Sequence, residues 1–523
     1  MTKLSAGAAI SLALGLLAVF LAGTGPQPAQ ASHLCGGTGS PKGPFDLRTY
    51  EAGDWRNAYS RAFTLAGRNQ LLPGVSGFAL PKLETGNRAA GSSQLTNPYI
   101  PPVILKAIAW IESSWTQADW TVAYGSVGPV LVSHDCGYGL MQVTTGMQNT
   151  TGVPTLAQAM IGGHYGFNIA RGARILAEKW NAAPEFRPIV GNRDPTIIEN
   201  WYYAVWGYNG FSFKNHPLNL NFPIPRPVYK CNGTQPRSNY PYQELVFGCV
   251  MNPPVVASQA LWSPVEVHLP SLTNPALSLS SWSACSGSGN CAAMDLATPN
   301  PWHKDPTTTS VTASQLLGSP KIGTSATSIE LSATHGGASL LVPLTIKNPG
   351  SGVLSWRLSR SDSWLRLSRR QGVSLGADLG TFNTTVNIRG VATSIPAGTH
   401  NATIKVESLY PLKTTTINVT FRVFELPEGT LLADSSSTYV MRGGYKRLIP
   451  NRTTLEAQGF SASDIISVPD SLPPTIPTGD PLLNARADGN LLKGTGSAVY
   501  VMQDGLKRHV TSPAVMAACE YGW

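Results

Sequence analysis

Apolar residues recur at helical spacing in four stretches of the first half of the chain. In 101–115, PPVILKAIAWIESSW, the residues Ile104, Ala107, Ile108, Ile111 and Trp115 fall at i, i+3, i+4, i+7 and i+11. That is one buried stripe of a helix whose entrance suits Pro101 and Pro102. The same period places Trp55, Tyr59, Ala62, Phe63 and Ala66 on one face of a helix over 54–67, and Ile169, Ala173, Leu176 and Trp180 on one face over 163–180. A further helix, rich in aromatics, is expected over 196–208, and 211–254 reads as a loop-rich extension.

Beyond residue 325 the period changes. Short alternating runs at 338–347, 354–358, 364–367, 384–388, 403–407 and 415–423 are broken by Asn-Pro-Gly, Gly and Pro. They predict a β-sandwich of about 100 residues over 325–425. Trp356 and Trp364 within it are read as core or edge residues rather than carbohydrate platforms, since burial alone accounts for them. Between the two regions, 261–324 is dominated by Ser, Pro, Thr, Gly and Ala without period and reads as a linker. The C-terminal part repeats itself: Gly429-Thr430-Leu431-Leu432, Tyr439-Val440-Met441 and Lys446-Arg447 return as Gly489-Asn490-Leu491-Leu492, Tyr500-Val501-Met502 and Lys507-Arg508. The units 428–484 and 488–523 each predict strand, turn, strand and helix. The paired Lys-Arg in each copy is either a contact for anionic wall polymers or a solvated charged turn.

At the N-terminus, Lys3, the apolar run 6–22 and Ala29-Gln30-Ala31 predict a signal peptide over 1–31, hence an exported protein without a lipid or membrane anchor. At 523 residues the chain requires several domains. Only 13% of residues are charged while Gly and Pro number 52 and 41, a composition of β-structure and loops. The net charge of +9 favours anionic partners, which for an exported chain are wall polymers or membrane surfaces rather than nucleic acid. Seven cysteines all follow the leader, as an oxidising compartment allows. Cys231 with Cys249 and Cys285 with Cys291 are the expected short bridges, Cys35 with Cys136 a longer one, and Cys519 the residue left over. The spacing lacks paired C-x-x-C units and a histidine pair, so no metal site or cofactor is expected.

The candidate chemistry sits at the end of the first stripe. Glu112 leaves its helix at the edge of the apolar face and near the C-terminus, so desolvation and the helix dipole both favour its protonated form. A carboxyl held neutral near pH 7 is what a general acid requires. Downstream, Gly139-Leu140-Met141-Gln142, Asn168-Ile169 with Gly172, and Tyr208-Asn209-Gly210 follow Glu112-Ser113 in order.

This series resembles the soluble, lysozyme-like lytic transglycosylases, whose marks are Glu-Ser, Gly-Leu-Met-Gln, Asn-Ile-x-x-Gly and Ala-Tyr-Asn-x-Gly. The match covers about 103–211, within a domain set at 98–260 and preceded by a segment, 32–97, that leads into it. It departs from the pattern at Tyr138 and Gly207, where alanine is usual. The resemblance implies a helical lobe that cleaves the bond between N-acetylmuramic acid and N-acetylglucosamine in peptidoglycan. It makes Glu112 the catalytic acid and base and gives Tyr208 the task of orienting it. Ser113, Gln142 and Asn209 would line the cleft, with Asn168 structural and Met141 a packing residue. The wording NPGSGVLSW, DSWLRLS and IPAGTHNATIKV likewise resembles BACON-like, immunoglobulin-type appendages of secreted enzymes. The whole is thus expected to be multidomain: an α-helical catalytic domain, an all-β sandwich and small α+β repeats. Two other readings stay open: a goose-type muramidase with Asp119 or Asp135 holding water, and a non-catalytic wall-binding protein.

Overall fold

The computed structural model describes residues 46–518 apart from 89–92, 149–152, 183–186, 483–489 and 504–505. The leader expected over 1–31, Cys35 and Cys519 lie outside the described residues. The chain is a multidomain protein of helical and β parts. No described helix is long and apolar enough to cross a membrane.

The helical part comprises α1 (Trp55–Gly67), α2 (Pro102–Ser113), α3 (Leu156–Gly163), α4 (Tyr165–Asn181), α5 (Tyr202–Tyr208) and α6 (Tyr242–Met251). Helix α2 is central, with α1 and α6 against it, and it is buried from Pro102 to Ala109 all round rather than on one stripe. Leu105, Lys106 and Ala109, which the stripe left facing outward, are covered because further chain closes that side. The helix expected over 163–180 is α4, and a further helix, α3, precedes it. His164 adopts extended backbone between them (φ −153°) and accepts from the Gly166 N–H at 2.9 Å, capping α4. Helix α6 lies inside the stretch expected to be loop.

The segment 261–324, expected as a linker, is built into the helical part. Trp262, Val265, Leu277, Met294 and Leu296 are buried in the same core as α2, and Trp262 stacks on Trp115 at 5.5 Å. Asp305 accepts from the Val103 N–H at 2.5 Å and so satisfies a free donor in the first turn of α2. Asp295 forms a two-bond ion pair with Arg88, both contacts at 2.7 Å. His303 Nδ1 lies 2.7 Å from Glu199 Oε1. The apolar side chains of this segment are too scattered to carry a period, which is why the sequence hides their burial. Two expected bridges, Cys231–Cys249 and Cys285–Cys291, are formed, and Cys136 is also disulfide-bonded.

The β part is a two-sheet sandwich. A five-stranded sheet runs in the order 371–375, 353–360, 398–409, 412–424, 328–334, and a four-stranded sheet in the order 365–367, 384–390, 342–347, 323–324. The strands Gln371–Leu375 and Ser328–Thr334 add to those expected, the second pairing in parallel with Leu412–Phe424. Trp356 is wholly buried with its Nε1 on Ser374 Oγ at 3.2 Å, and Trp364 stacks on Phe421, so both serve packing. The sandwich docks on the helical part through side chains that pair with backbone: Gln371 Oε1 accepts from Arg48 N–H at 2.7 Å, its Nε2 donates to Arg48 O at 2.9 Å, and Ser355 Oγ donates to Gly163 O.

Among the described residues the first C-terminal unit has four strands, Ile465–Ser467 pairing in parallel with Leu431–Ala433, and the helix Arg452–Ala457; the second has three strands and the helix Pro513–Ala518. The paired Lys-Arg does not behave alike in the two copies. Lys446 is buried, donates to Pro473 O and lies over the Tyr439 ring. In this copy the expected phosphate contact is therefore an internal tie. Lys507 and Arg508 are exposed.

Candidate active site

Helix α2 ends one residue after Glu112-Ser113 in an abrupt reversal. Ser114 and Trp115 both take left-handed backbone, φ 51° and 57°, a conformation that costs energy for residues other than glycine. What holds it is burial of Trp115, wholly covered, with its indole N–H on Lys106 O at 2.8 Å. Below it Ser113 Oγ bonds Leu140 O at 2.8 Å and Ala109 O at 3.0 Å, so Ser113 ties the helix end to the Gly139–Gln142 turn rather than lining open cleft. Glu51, fully buried, fixes the next residues by accepting from Gln117 N–H at 3.1 Å and Ala118 N–H at 2.7 Å, with Tyr59 OH on its other oxygen at 2.8 Å.

The turn 139–142 is clamped from beneath by Asn168. Its Oδ1 accepts from Met141 N–H at 2.8 Å and its Nδ2 donates to Tyr138 O at 2.7 Å. Gly139 has φ +66°, and a Cβ there would stand 2.6 Å from both Asn168 Nδ2 and Gln117 Oε1. Gly172 is required one helical turn further on, because a Cβ would meet Met141 at 2.6 Å. The Gly-Leu-Met-Gln and Asn-Ile-x-x-Gly motifs are thus two halves of one packing unit, with Asn168 and Met141 structural. Gln142, at φ 45°, donates to Gly139 O at 2.8 Å and keeps part of its surface open.

Glu112 retains some solvent contact, yet desolvation is the largest influence on its carboxyl and pushes it up to about 7. Asp135 adds to the rise, while a hydrogen bond from Tyr242 and the charge of Arg237 oppose it. The phenol on Glu112 is Tyr242, in the first turn of α6, at 2.5 Å. Tyr208, expected in that role, instead donates to Met141 O at 2.8 Å. Burial first, and then the charge of nearby Glu112, hold the Tyr208 phenol well above its usual range. Arg237 donates to Ile111 O at 2.6 Å and so sits at the negative end of α2, offsetting the dipole contribution expected from sequence. Asn209 is exposed and accepts from Asn215 Nδ2 at 3.1 Å. Asn215 Oδ1 also lies 3.4 Å from Tyr242 N, which links the Tyr-Asn-Gly segment to the tyrosine on Glu112.

Of the two aspartates, Asp119 is taken up by an Asx turn with Thr121, N–H at 2.9 Å and Oγ1 at 2.7 Å. Asp135, exposed and bonded to Ser133 Oγ at 2.5 Å, is the one whose charge reaches Glu112. Tyr242, Arg237 and Glu51 were not marked by sequence. Tyr242 and Arg237 stand in a Pro- and Asn-rich stretch without period, and Glu51 in a short strand. Among the described residues no group of three His, Cys, Asp or Glu is arranged to hold a metal ion.

No family model and no curated protein matches the chain. Solved structures that align with part of it include a PapD-like domain of human CEP192, at 15% identity over 20% of this chain and 87% of that one, TM-score 0.18. Others are WR4, an MSP family member of C. elegans, at 12% identity over 20% and 97%, TM-score 0.16, and a family 123 glycoside hydrolase from Clostridium perfringens, at 14% identity over 21% and 25%, TM-score 0.15.

Proposed function

We propose that the chain is an exported peptidoglycan lytic transglycosylase, with a lysozyme-like helical domain and an immunoglobulin-type sandwich beside it. The observation that carries the reading is Glu112: one carboxyl, desolvated toward neutrality, held by Tyr242 at 2.5 Å, beside a turn whose motif residues clamp one another. Glycoside hydrolysis ordinarily needs two carboxylates. A transglycosylase needs one, because the muramic acid's own 6-hydroxyl replaces water and reaches the anomeric carbon intramolecularly.

In this reaction protonated Glu112 gives its proton to the glycosidic oxygen as the C1–O bond to N-acetylglucosamine breaks. The positive charge left at C1 is then quenched by O6, and the Glu112 carboxylate takes the hydroxyl proton as the 1,6-anhydro ring closes. No water is consumed and Glu112 ends as it began. Tyr242 stays neutral, since burial holds its phenol protonated well above the usual range, and so donates to the carboxylate in the second half. Gln142, Tyr208 and Asn209 are assigned to the sugar.

A muramidase is the second reading, favoured by Asp135, whose charge is felt at Glu112; it would there activate water. Mass spectrometry of muropeptides released by the protein and by Glu112→Gln tests both. Anhydromuramyl ends from the first and none from the variant support the transglycosylase. Reducing ends favour the muramidase, and no release by either, on several wall types, favours a binding protein.

A further inference from the structure

From Asn200 to Gln243 the chain holds no acidic residue, while Lys214, Arg226, Lys230 and Arg237 fall within it. Part of this stretch, 213–230, forms a loop joined through Asn215 to Asn209, and four of its apolar side chains are exposed. Leu220 is 96% exposed, Ile224 52%, Val228 45% and Phe213 41%. Soluble surfaces carry single exposed apolar residues without consequence; a contiguous group marks an interaction site.

The loop is held in this shape. The Arg226 side chain is 2% exposed, donates to Glu244 through two nitrogens, and reaches Pro217 O at 3.0 Å and Pro223 O at 3.2 Å. Asn219 Nδ2 donates to Phe213 O at 3.0 Å and its Oδ1 accepts from Asn221 N–H at 3.0 Å. Four prolines, 217, 223, 225 and 227, restrict the backbone further. A buried guanidinium and its carboxylate thus serve to present leucine and isoleucine to water. Glu244, the first acid after the loop, is paired with Arg226, so the exposed charges within 213–230 are those of Lys214 and Lys230.

We propose that the loop 213–230 docks the protein on an anionic lipid surface, Leu220 and Ile224 entering the headgroup region and Lys214 and Lys230 meeting the lipid phosphates. Apolar tips with a cationic rim are what an interfacial contact requires, and a wall polymer alone gives the leucine no apolar partner. The contact sets the cleft close to the membrane: Arg226 holds the loop to Glu244, two residues after Tyr242, and Asn215 joins it to Asn209. The inference does not depend on the reaction at Glu112.

Flotation of the chain lacking residues 1–31, whose apolar run would bind bilayers itself, with vesicles of phosphatidylcholine alone or with phosphatidylglycerol at about one third, tests it. Binding is expected on the anionic vesicles and to weaken with salt. Leu220→Ser with Ile224→Ser should lower it about tenfold or more, Lys214→Gln with Lys230→Gln should remove the preference for anionic lipid, and Leu220→Trp should strengthen it. Opposite effects of serine and tryptophan at one exposed position do not arise from misfolding. Absence of binding at low salt, binding indifferent to Leu220 and Ile224, or a dimer in sedimentation that Leu220→Ser dissolves overturns the proposal.

Discussion

The Tyr242 hydroxyl donates to Glu112 Oε1 at 2.5 Å from the first turn of a helix 130 residues further along the chain. That bond favours the carboxylate, so it holds the pKa of Glu112 below what burial alone would set. Tyr242→Phe is therefore expected to move the alkaline limb of the pH–rate profile to higher pH. It should also lower kcat about tenfold, the worth of a hydrogen bond to a charged group. A profile of kcat and kcat/KM between pH 5 and 9 reads both effects; a fall in rate with an unmoved limb would mean the tyrosine only packs.

For the parent protein the same value fixes the direction of pH dependence. Glu112 must hold its proton to act, and its folded value is about 7, so cleavage is expected to be sustained below pH 7 and to decline above it. Stability moves in the same direction as pH rises. Below the ordinary carboxyl value of 4.5 both folded and unfolded chains hold the proton. Between 4.5 and 7 the unfolded chain releases it while the folded one keeps it, so this group costs stability as pH rises and the cost is complete above 7. Glu112→Gln should thus equal the parent at pH 4 and exceed it at pH 8 by about 1–3 kcal/mol, reduced where solvent reaches the carboxyl. Denaturant unfolding at the two pH values measures it.

How much of this could be read from sequence differs residue by residue. The stripe of α2 and the neutralised Glu112 were legible because helical period is local and because a carboxyl at the edge of an apolar face is desolvated wherever the rest of the chain lies. Asn168 and Gly172 were legible only as motif; their reason, a clamp on Tyr138 and Met141, needs two helices in place. Tyr242 was invisible: its role depends on α6 folding back across α2, and nothing near it in sequence signals that. The segment 261–324 failed for another reason. Trp262, Leu277 and Met294 each fill a gap in a core made by others, so they need no period among themselves, and composition alone mistook them for a linker.

Because Asp305, in that segment, accepts a hydrogen bond from the first turn of α2, its loss should be felt at the helix that carries Glu112. Asp305→Ala removes the acceptor of the Val103 N–H, and it also removes the charge that opposes the desolvation of Lys106, itself lowered to about 8. A destabilisation of about 1–2 kcal/mol is expected, with faster proteolysis within 279–312. Unchanged unfolding would show the contact to be incidental.

Gly139→Ala tests the clamp. A methyl there meets Asn168 and Gln117 at 2.6 Å on a backbone of φ +66°, and both neighbours are buried and bonded. The turn must shift, carrying Gln142 and the Leu140 carbonyl that holds Ser113. Activity should fall by about a hundredfold with a loss of about 2 kcal/mol or more in stability. Gly146→Ala, where a Cβ meets nothing within 4 Å though φ is +81°, separates the effect of backbone strain from that of the clamp.

Asp135→Asn separates the two reactions. Asp135 touches the chemistry through its charge, which raises Glu112, so in a transglycosylase its neutralisation should draw the alkaline limb to lower pH while the products keep their anhydro ends. A muramidase that uses Asp135 to activate water would lose cleavage altogether, because no other described carboxylate is felt at Glu112. The Asn side chain preserves an acceptor for Ser133 Oγ, so the loop keeps its shape and the comparison reads charge alone. Product mass and the pH profile, measured on the same variant, give one outcome for each mechanism: a shifted limb with 1,6-anhydromuramic ends, or silence.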